Sequence, residues 1–265
     1  MTDLLPSIIL VGFFLGMRHA TDPDHVIAVG TIVSREPLVR NAALIGIIWG
    51  IGHSLTILVV GGVIILFGLV IPPRIGLGME LSVGLMLIVL GSTTVAGRLW
   101  RIAETKVDDA AHVHLHTHGG FLHAHGHSHG PEAGAHHTDA ALSGWYDRTF
   151  QRLGLYQTTR PFVVGVVHGL AGSAAIALLV LAMIPSPVWG LVYLLVFGLG
   201  TIAGMVLVTV ATALPFVYAT RRLSAVNRYL AVASGVLSIA FGLFMVYRIG
   251  VVDALFTSWP HWTPG

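Results

Sequence analysis

Six apolar stretches alternate with polar segments along the chain. Most of them reach or approach the roughly 20 apolar residues that a helix needs to cross a bilayer. They cover about residues 5–34, 42–70, 77–97, 161–184, 187–214 and 229–250. The pattern predicts an all-α, polytopic membrane protein with about six transmembrane helices.

A polar insert divides the six stretches into two groups of three. The sequence therefore predicts three parts: a first three-helix membrane repeat at 1–97, a His-rich flexible insert at 98–160, and a second three-helix membrane repeat at 161–265.

The composition supports this assignment. Hydrophobic residues make up 55% of the chain and charged residues only 10%, whereas soluble domains carry roughly 25% charged residues. The mean hydropathy of +0.83 also excludes an ordinary water-soluble domain. We expect a lipid bilayer as the surroundings and no nucleic-acid partner. We expect no cleaved signal peptide, because Asp3 stands where such a peptide carries positive charge.

The basic residues indicate an orientation. Of the 14 Lys and Arg residues, 11 fall in loops on one predicted side of the membrane. They are Arg35, Arg40, Arg98, Arg101, Lys106, Arg148, Arg152, Arg160, Arg221, Arg222 and Arg228. By the positive-inside rule this side is cytoplasmic. In an inner membrane both termini then lie outside, and the insert lies in the cytoplasm.

The two halves of the chain resemble each other. Residues 16–20 match 165–169 at an offset of 149, and 49–52 match 197–200 at an offset of 148. Gly84 and Gly91 match Gly235 and Gly242 at an offset of 151. Since each half has three spans, the second copy enters from the opposite side. The sequence thus predicts an inverted repeat, as in many secondary transporters, which bind substrates near the interface of the repeats.

The first apolar stretch is interrupted by five ionisable residues within eight positions. These are Arg18, His19, Asp22, Asp24 and His25. Ionisable groups are costly at membrane depth and indicate a functional site. The alternative is an interfacial loop that joins two short helices. We interpret His19, Asp22, Asp24 and His25 as metal ligands.

A regular helix cannot bring these four side chains together, because only residues three or four apart share a face. Pro23 lacks an N–H group, so the carbonyl of His19 would lose its helical partner. We therefore predict a break at or just before Pro23, with the segment from His19 to His25 lining a polar cavity.

Two further histidines lie in apolar surroundings, His53 after Gly50 and Gly52, and His168 at the position that matches His19. Each is a candidate ligand along an ion path, and the alternative is a hydrogen-bonded packing residue. The chain has no cysteine. Imidazole and carboxylate ligands without sulfur suit nickel, cobalt and zinc better than copper(I).

The insert contains ten of the 15 histidines. They are His112, His114, His116, His118, His123, His125, His127, His129, His136 and His137. Alternating His in a Gly-rich segment is typical of a flexible metal-binding tract without a folded site. A disordered linker is the alternative, and both interpretations can hold together.

The segment from Arg18 to Val26 resembles the R-H-A-x-D-A-D-H-I signature of the nickel/cobalt transporter family, with Pro23 in place of the usual Ala. The family's L-G-H-S motif resembles residues 51–54. Residues 168–173 lack the carboxylate of the larger members, as in the shorter branch of urease-accessory and hydrogenase-associated permeases. The resemblance implies transmembrane transport of Ni²⁺ or Co²⁺ with no permanently bound cofactor.

Two classes of function remain open. A secondary metal transporter fits the motifs, and uptake is favoured over efflux by the urease-type resemblance. An intramembrane metalloenzyme lacks support, since the chain has no H-E-x-x-H motif. No G-x4-G-K-[ST] motif for ATP hydrolysis occurs either. A metallochaperone and a second copy of the chain are candidate partners.

Overall fold

The computed structural model describes residues 5–34, 36, 38–69, 71–107, 111–118, 121–128, 155–170, 184, 186–222, 224–257 and 259–262. Over these ranges the chain forms seven α-helices, one two-stranded sheet and a π-helical turn. The helices are α1 (Leu5–His19), α2 (Pro23–Val33), α3 (Val39–Phe67), α4 (Pro73–Val107), α5 (Leu155–Leu170), α6 (Pro187–Arg222) and α7 (Ser224–Tyr247). The π-helical turn is Arg248–Val252.

Four helices in the described part are long and apolar enough to cross a membrane, which makes the chain a membrane protein. They are α3, α4 over Pro73–Leu99, α6 over Pro187–Ala219, and α7 with the π-helical turn over Tyr229–Val252. The first predicted span is instead the pair α1 and α2. Helix α4 also continues beyond the predicted end at residue 97, to Val107.

Glycines allow the helix backbones to approach closely, and their contacts come in matched pairs. A Cβ at Gly16 of α1 would overlap the carbonyl oxygen of Phe197, and one at Gly165 of α5 would overlap that of Trp49. These residues are the ones that the repeat offsets relate to each other. In the same way Gly200 abuts Phe13, and Gly52 abuts Phe162. Small residues at such contacts are usual between membrane helices.

Helices α4 and α7 form a second close pair. Gly91 abuts the carbonyl of Gly235, and Gly242 abuts that of Gly84. The contacts run in opposite chain directions, so the two helices are antiparallel. Packing is thus concentrated in two groups of helices, α1 with α3, α5 and α6, and α4 with α7. Helix α2 contacts α6 of the first group and both helices of the second.

The glycine contacts give a stability prediction. Gly91→Ala is expected to destabilise the protein by about 1–3 kcal/mol, because overpacking a tight contact forces backbone shifts. Gly78→Ala, in the same helix, is the matched control, since a Cβ there meets no atom within 4 Å. Thermal unfolding of the detergent-solubilised variants measures both. Equal midpoints for the two variants would contradict this account of the α4–α7 contact.

The described residues of the insert form two strands. Strand β1 (Ala111–His118) and strand β2 (Phe121–Ser128) form an antiparallel pair, with Ala111 opposite Ser128 and His118 opposite Phe121. The sequence analysis did not predict these strands, and the flexibility of the insert at 98–160 stays a prediction. The physical reason lies in the sequence: alternation at period two favours a strand, and two glycines between such runs are typical of a hairpin turn.

Candidate metal site

The first predicted span is broken where the sequence indicates. Helix α1 ends at His19, and Pro23 is the first residue of α2, a position where its missing N–H costs no hydrogen bond. Asp22 precedes it in extended conformation, with φ −60° and ψ 144°. The break predicted at or just before Pro23 is confirmed.

The carbonyl of His19 has no helical partner at Pro23, but it is not left free. The backbone N–H of Asp22 donates to it at 3.1 Å. The chain closes a tight turn after α1, and this turn satisfies the carbonyl that a kinked helix would have exposed. The side chains are therefore the candidate ligands of this segment.

The structure brings all six candidate side chains of the membrane domain together. His19 ends α1, Asp22 lies in the turn, Asp24 and His25 open α2, His53 lies in the middle of α3, and His168 lies near the end of α5. The imidazoles of His25, His53 and His168 are fully buried, and His19 and Asp24 are nearly so. Asp22 is the most exposed, with 37% of its side chain accessible.

Two of the imidazoles are each held by a carboxylate. Nδ1 of His19 lies 2.8 Å from Oδ2 of Asp22, and Nδ1 of His25 lies 2.9 Å from Oδ1 of Asp24. A carboxylate on one ring nitrogen fixes the proton there and leaves the other nitrogen, Nε2, as an electron donor. We infer that the aspartates orient the histidines, a role that the spacing alone did not distinguish from direct coordination.

The Nε2 atoms of His19 and His53 meet in the site. Nε2 of His19 lies 2.9 Å from Nε2 of His53. Ligand nitrogens about 2.0–2.1 Å from one ion come within roughly 3 Å of each other, so this separation fits two ligands of the same ion. One ring nitrogen each from His19, His25 and His53 all lie within 4.8 Å of one another.

Several buried ring nitrogens have no hydrogen-bond partner among the described residues. They are Nε2 of His25, Nδ1 of His53 and Nε2 of His168. Buried polar atoms are nearly always paired, and each exception needs an explanation. A packing role, in which the ring nitrogens are hydrogen-bonded, does not account for the Nε2 atoms of His25 and His168. A metal ion bound at these atoms would account for them, whereas an ion on Nε2 of His53 leaves its Nδ1 unpaired.

A carboxylate-containing group of ligands lies beside the three imidazoles. Oxygen atoms of Asp22 and Asp24 and a nitrogen of His25 also lie within 4.8 Å of one another. Nitrogen and oxygen donors without sulfur suit Ni²⁺, Co²⁺ and Zn²⁺. The two carboxylates would offset the charge of a bound divalent ion.

Aromatic side chains that the sequence reasoning passed over line the site. The Trp49 ring stacks on His25 with centroids 6.2 Å apart and lies 5.2 Å from His168. The Phe197 ring lies 5.7 Å from His19. Trp49 and Phe197 were matched as repeat partners, and that match was the available signal for this role. Such an apolar shell controls access of water to a metal site.

The tract histidines are placed only by the backbone register of the hairpin. His112 pairs with His127, His114 with His125, and His116 with His123, while His118 pairs with Phe121. His129, His136 and His137 lie outside the described residues.

No protein-family model and no solved structure matches the chain. A curated relative is the urease accessory protein UreH of Bacillus sp. strain TB-90, which is 32% identical over 257 residues. The alignment covers 97% of this chain and 97% of that protein. Similarity of this extent along the whole length shows that the chain belongs to the UreH family of urease accessory proteins.

Proposed function

We propose that the protein is a secondary transporter of Ni²⁺ or Co²⁺ that binds the ion in transit at His19, His25 and His53. The observation that carries the proposal is the convergence of three buried imidazoles at a helix break inside a membrane protein. Asp22 and Asp24 orient the first two rings and offset the charge of the ion. The ion is the cargo, so no resident cofactor is needed.

The ligand set suits transient binding. Neutral imidazoles hold a divalent transition metal through nitrogen without the near-permanent binding of a thiolate cage. A transport site must bind well enough to admit the ion and weakly enough to release it. The relative's name links that protein to urease, which is a nickel enzyme, and this favours nickel as cargo and uptake as the direction.

We further propose a 3+3 inverted repeat with six crossings, both termini outside and the insert in the cytoplasm. The matched glycine contacts support it, because Gly16 against Phe197 and Gly165 against Trp49 are equivalent contacts in opposite halves. Inverted repeats place their substrate at the interface of the halves. Here that interface carries His19 and His53 from the first half and His168 from the second.

The function is tested by nickel and cobalt accumulation in cells that lack their own nickel permease, with and without the protein. Higher accumulation with the protein supports uptake, and lower accumulation in metal-loaded cells indicates efflux. The matched control is the His53→Ala variant, present in the membrane in the same amount as the unchanged protein. Equal accumulation in cells with the protein, with the variant and with neither would contradict metal transport.

The His-rich tract at residues 112–137 gives a separate prediction. Deleting residues 112–137 is expected to leave measurable metal flux, because the proposed ligands His19, His25 and His53 lie outside this tract, on α1, α2 and α3. Initial flux rates at matched amounts of inserted protein provide the measurement. Complete loss of flux in the deletion variant would place the tract on the translocation path.

A further inference from the structure

His25 occupies the middle of the histidine cluster. Its ring centroid lies 4.9 Å from that of His19, 5.0 Å from that of His53 and 5.0 Å from that of His168. His19 and His53 also contact each other, at 5.0 Å. Among the described residues, the aromatic rings that contact His168 are those of His25 and Trp49. His25 therefore separates His168 from the other two imidazoles.

Asp24 connects His25 to His168. One carboxylate oxygen, Oδ1, lies 2.9 Å from Nδ1 of His25, and the other, Oδ2, lies 3.9 Å from Nε2 of His168. Nδ1 of His168 donates to the carbonyl of Val164 at 3.2 Å, which assigns the ring proton to Nδ1. In the neutral ring, Nε2 of His168 is then an unprotonated, electron-donating atom that faces a carboxylate oxygen.

Two electron-donor atoms facing each other in a buried place repel each other unless a cation lies between them. The separation of 3.9 Å fits such a cation, because imidazole nitrogens and carboxylate oxygens lie about 2.0–2.2 Å from a bound transition metal. His168 is fully buried and its Nε2 has no hydrogen-bond partner. This nitrogen points to a ligand other than a protein donor.

The surroundings of His168 repeat those of His19. His19 packs against Phe197, and His168 packs against Trp49, and the repeat relates His19 to His168 and Phe197 to Trp49. The residue that the repeat relates to His53 is Thr201, whose hydroxyl donates to the Phe197 carbonyl at 2.9 Å. At the position equivalent to His53, the half that contains His168 therefore has a threonine in place of an imidazole.

We propose, resting on the proposed function, that the ion occupies two successive positions that are next to each other at His25. The first is formed by His19, His25 and His53, and the second by Asp24 and His168. The first binds the ion more tightly, because it has three imidazoles. Only one position is filled at a time, since two divalent cations would repel at this distance. A weaker second position promotes release of the ion, as multi-site conduction requires.

The test uses the full-length chain with its ten tract histidines replaced by Gln, so that the tract does not contribute to binding. Purified protein is titrated with Ni²⁺ and Co²⁺ by calorimetry, and the Co²⁺ absorption spectrum reports the ligands. Flux is measured in proteoliposomes. The compared variants are His53→Ala, His168→Ala and His168→Gln.

His53→Ala is expected to weaken metal binding by at least about tenfold and to change the Co²⁺ spectrum. Removing the hydrogen-bond partner of a ligand already lowers metal affinity 10–100-fold, and removing the ligand itself is expected to lower it at least as much. His168→Ala is expected to keep the affinity within about threefold and the spectrum unchanged, yet to lower flux by about tenfold, because release requires the second position. His168→Gln preserves most of the side-chain volume and is expected to behave like His168→Ala.

Two results would overturn the proposal. Binding weakened equally by His168→Ala and His53→Ala would mean one position with four imidazoles, and flux unchanged in both His168 variants would leave His168 as a packing residue. Where the Ala variant does not insert, the Gln variant decides between these results. Absence of both binding and flux in the protein with all six membrane-site residues intact would instead contradict the proposed transport function.

Discussion

Replacing His25 with alanine is expected to abolish nickel and cobalt flux and to lower metal affinity by more than about 100-fold, above the 10–100-fold loss typical for an outer-shell partner. The reason is its place in the cluster, within 5.0 Å of three other imidazoles by ring centroid. No described neighbour can replace its ring. Isotope flux in proteoliposomes and calorimetric titration of the same preparation measure the two effects.

The matched control is His261→Ala. His261 has an exposed side chain in the C-terminal segment, and its backbone N–H donates to Asp253 at 3.0 Å, which a change of side chain leaves intact. This variant is expected to transport normally. Near-normal flux in the His25 variant, at an equal amount of inserted protein, would exclude the cluster as the transport site.

The second large effect is expected for Asp24→Asn, with a 10–100-fold loss of metal affinity, the range found when the partner of a metal-ligating histidine is removed. The amide has almost the same shape but no charge. It cannot hold the proton on Nδ1 of His25 as a carboxylate does, and it no longer offsets the charge of the ion. A charge without compensation costs at least about 2.5–3.5 kcal/mol at membrane depth.

Asp22→Asn is the comparison within the same motif. The Asp22 side chain pairs with His19 and is 37% exposed, whereas the Asp24 side chain is 12% exposed and faces both His25 and His168. We therefore expect Asp22→Asn to weaken binding and entry by a smaller factor. A larger loss in Asp22→Asn than in Asp24→Asn would show that the roles of the two carboxylates are assigned in the wrong order.

Much of the site is readable in the sequence, because charged groups inside an apolar stretch are costly and so indicate function. The break at Pro23 follows from the missing N–H of proline. The prediction stops where tertiary contacts decide the role of a residue. Spacing along one segment cannot show that Asp24 holds His25 by one oxygen and faces His168, on another helix, with the other.

The ends of the helices and the structure of the insert were also predicted only in part. The hydropathy pattern located the membrane core of α4, but the helix continues to Val107 beyond the apolar stretch, because polar residues outside the bilayer can stay helical. The insert was assigned by its composition, and the alternating positions that form β1 and β2 were given less weight than its glycine content. The aromatic rings of Trp49 and Phe197 were noted only as markers of the repeat.

Helix α2 contacts both groups of helices, and this has a mechanical consequence. It contacts α6 of the first group and α4 and α7 of the second, and its first turn carries Asp24 and His25. A rocking movement of the α4–α7 pair against the other helices would therefore displace α2. Such a movement would change the spacing between His25 and the imidazoles on α3 and α5. The affinity for the ion would then follow the conformation of the whole membrane domain.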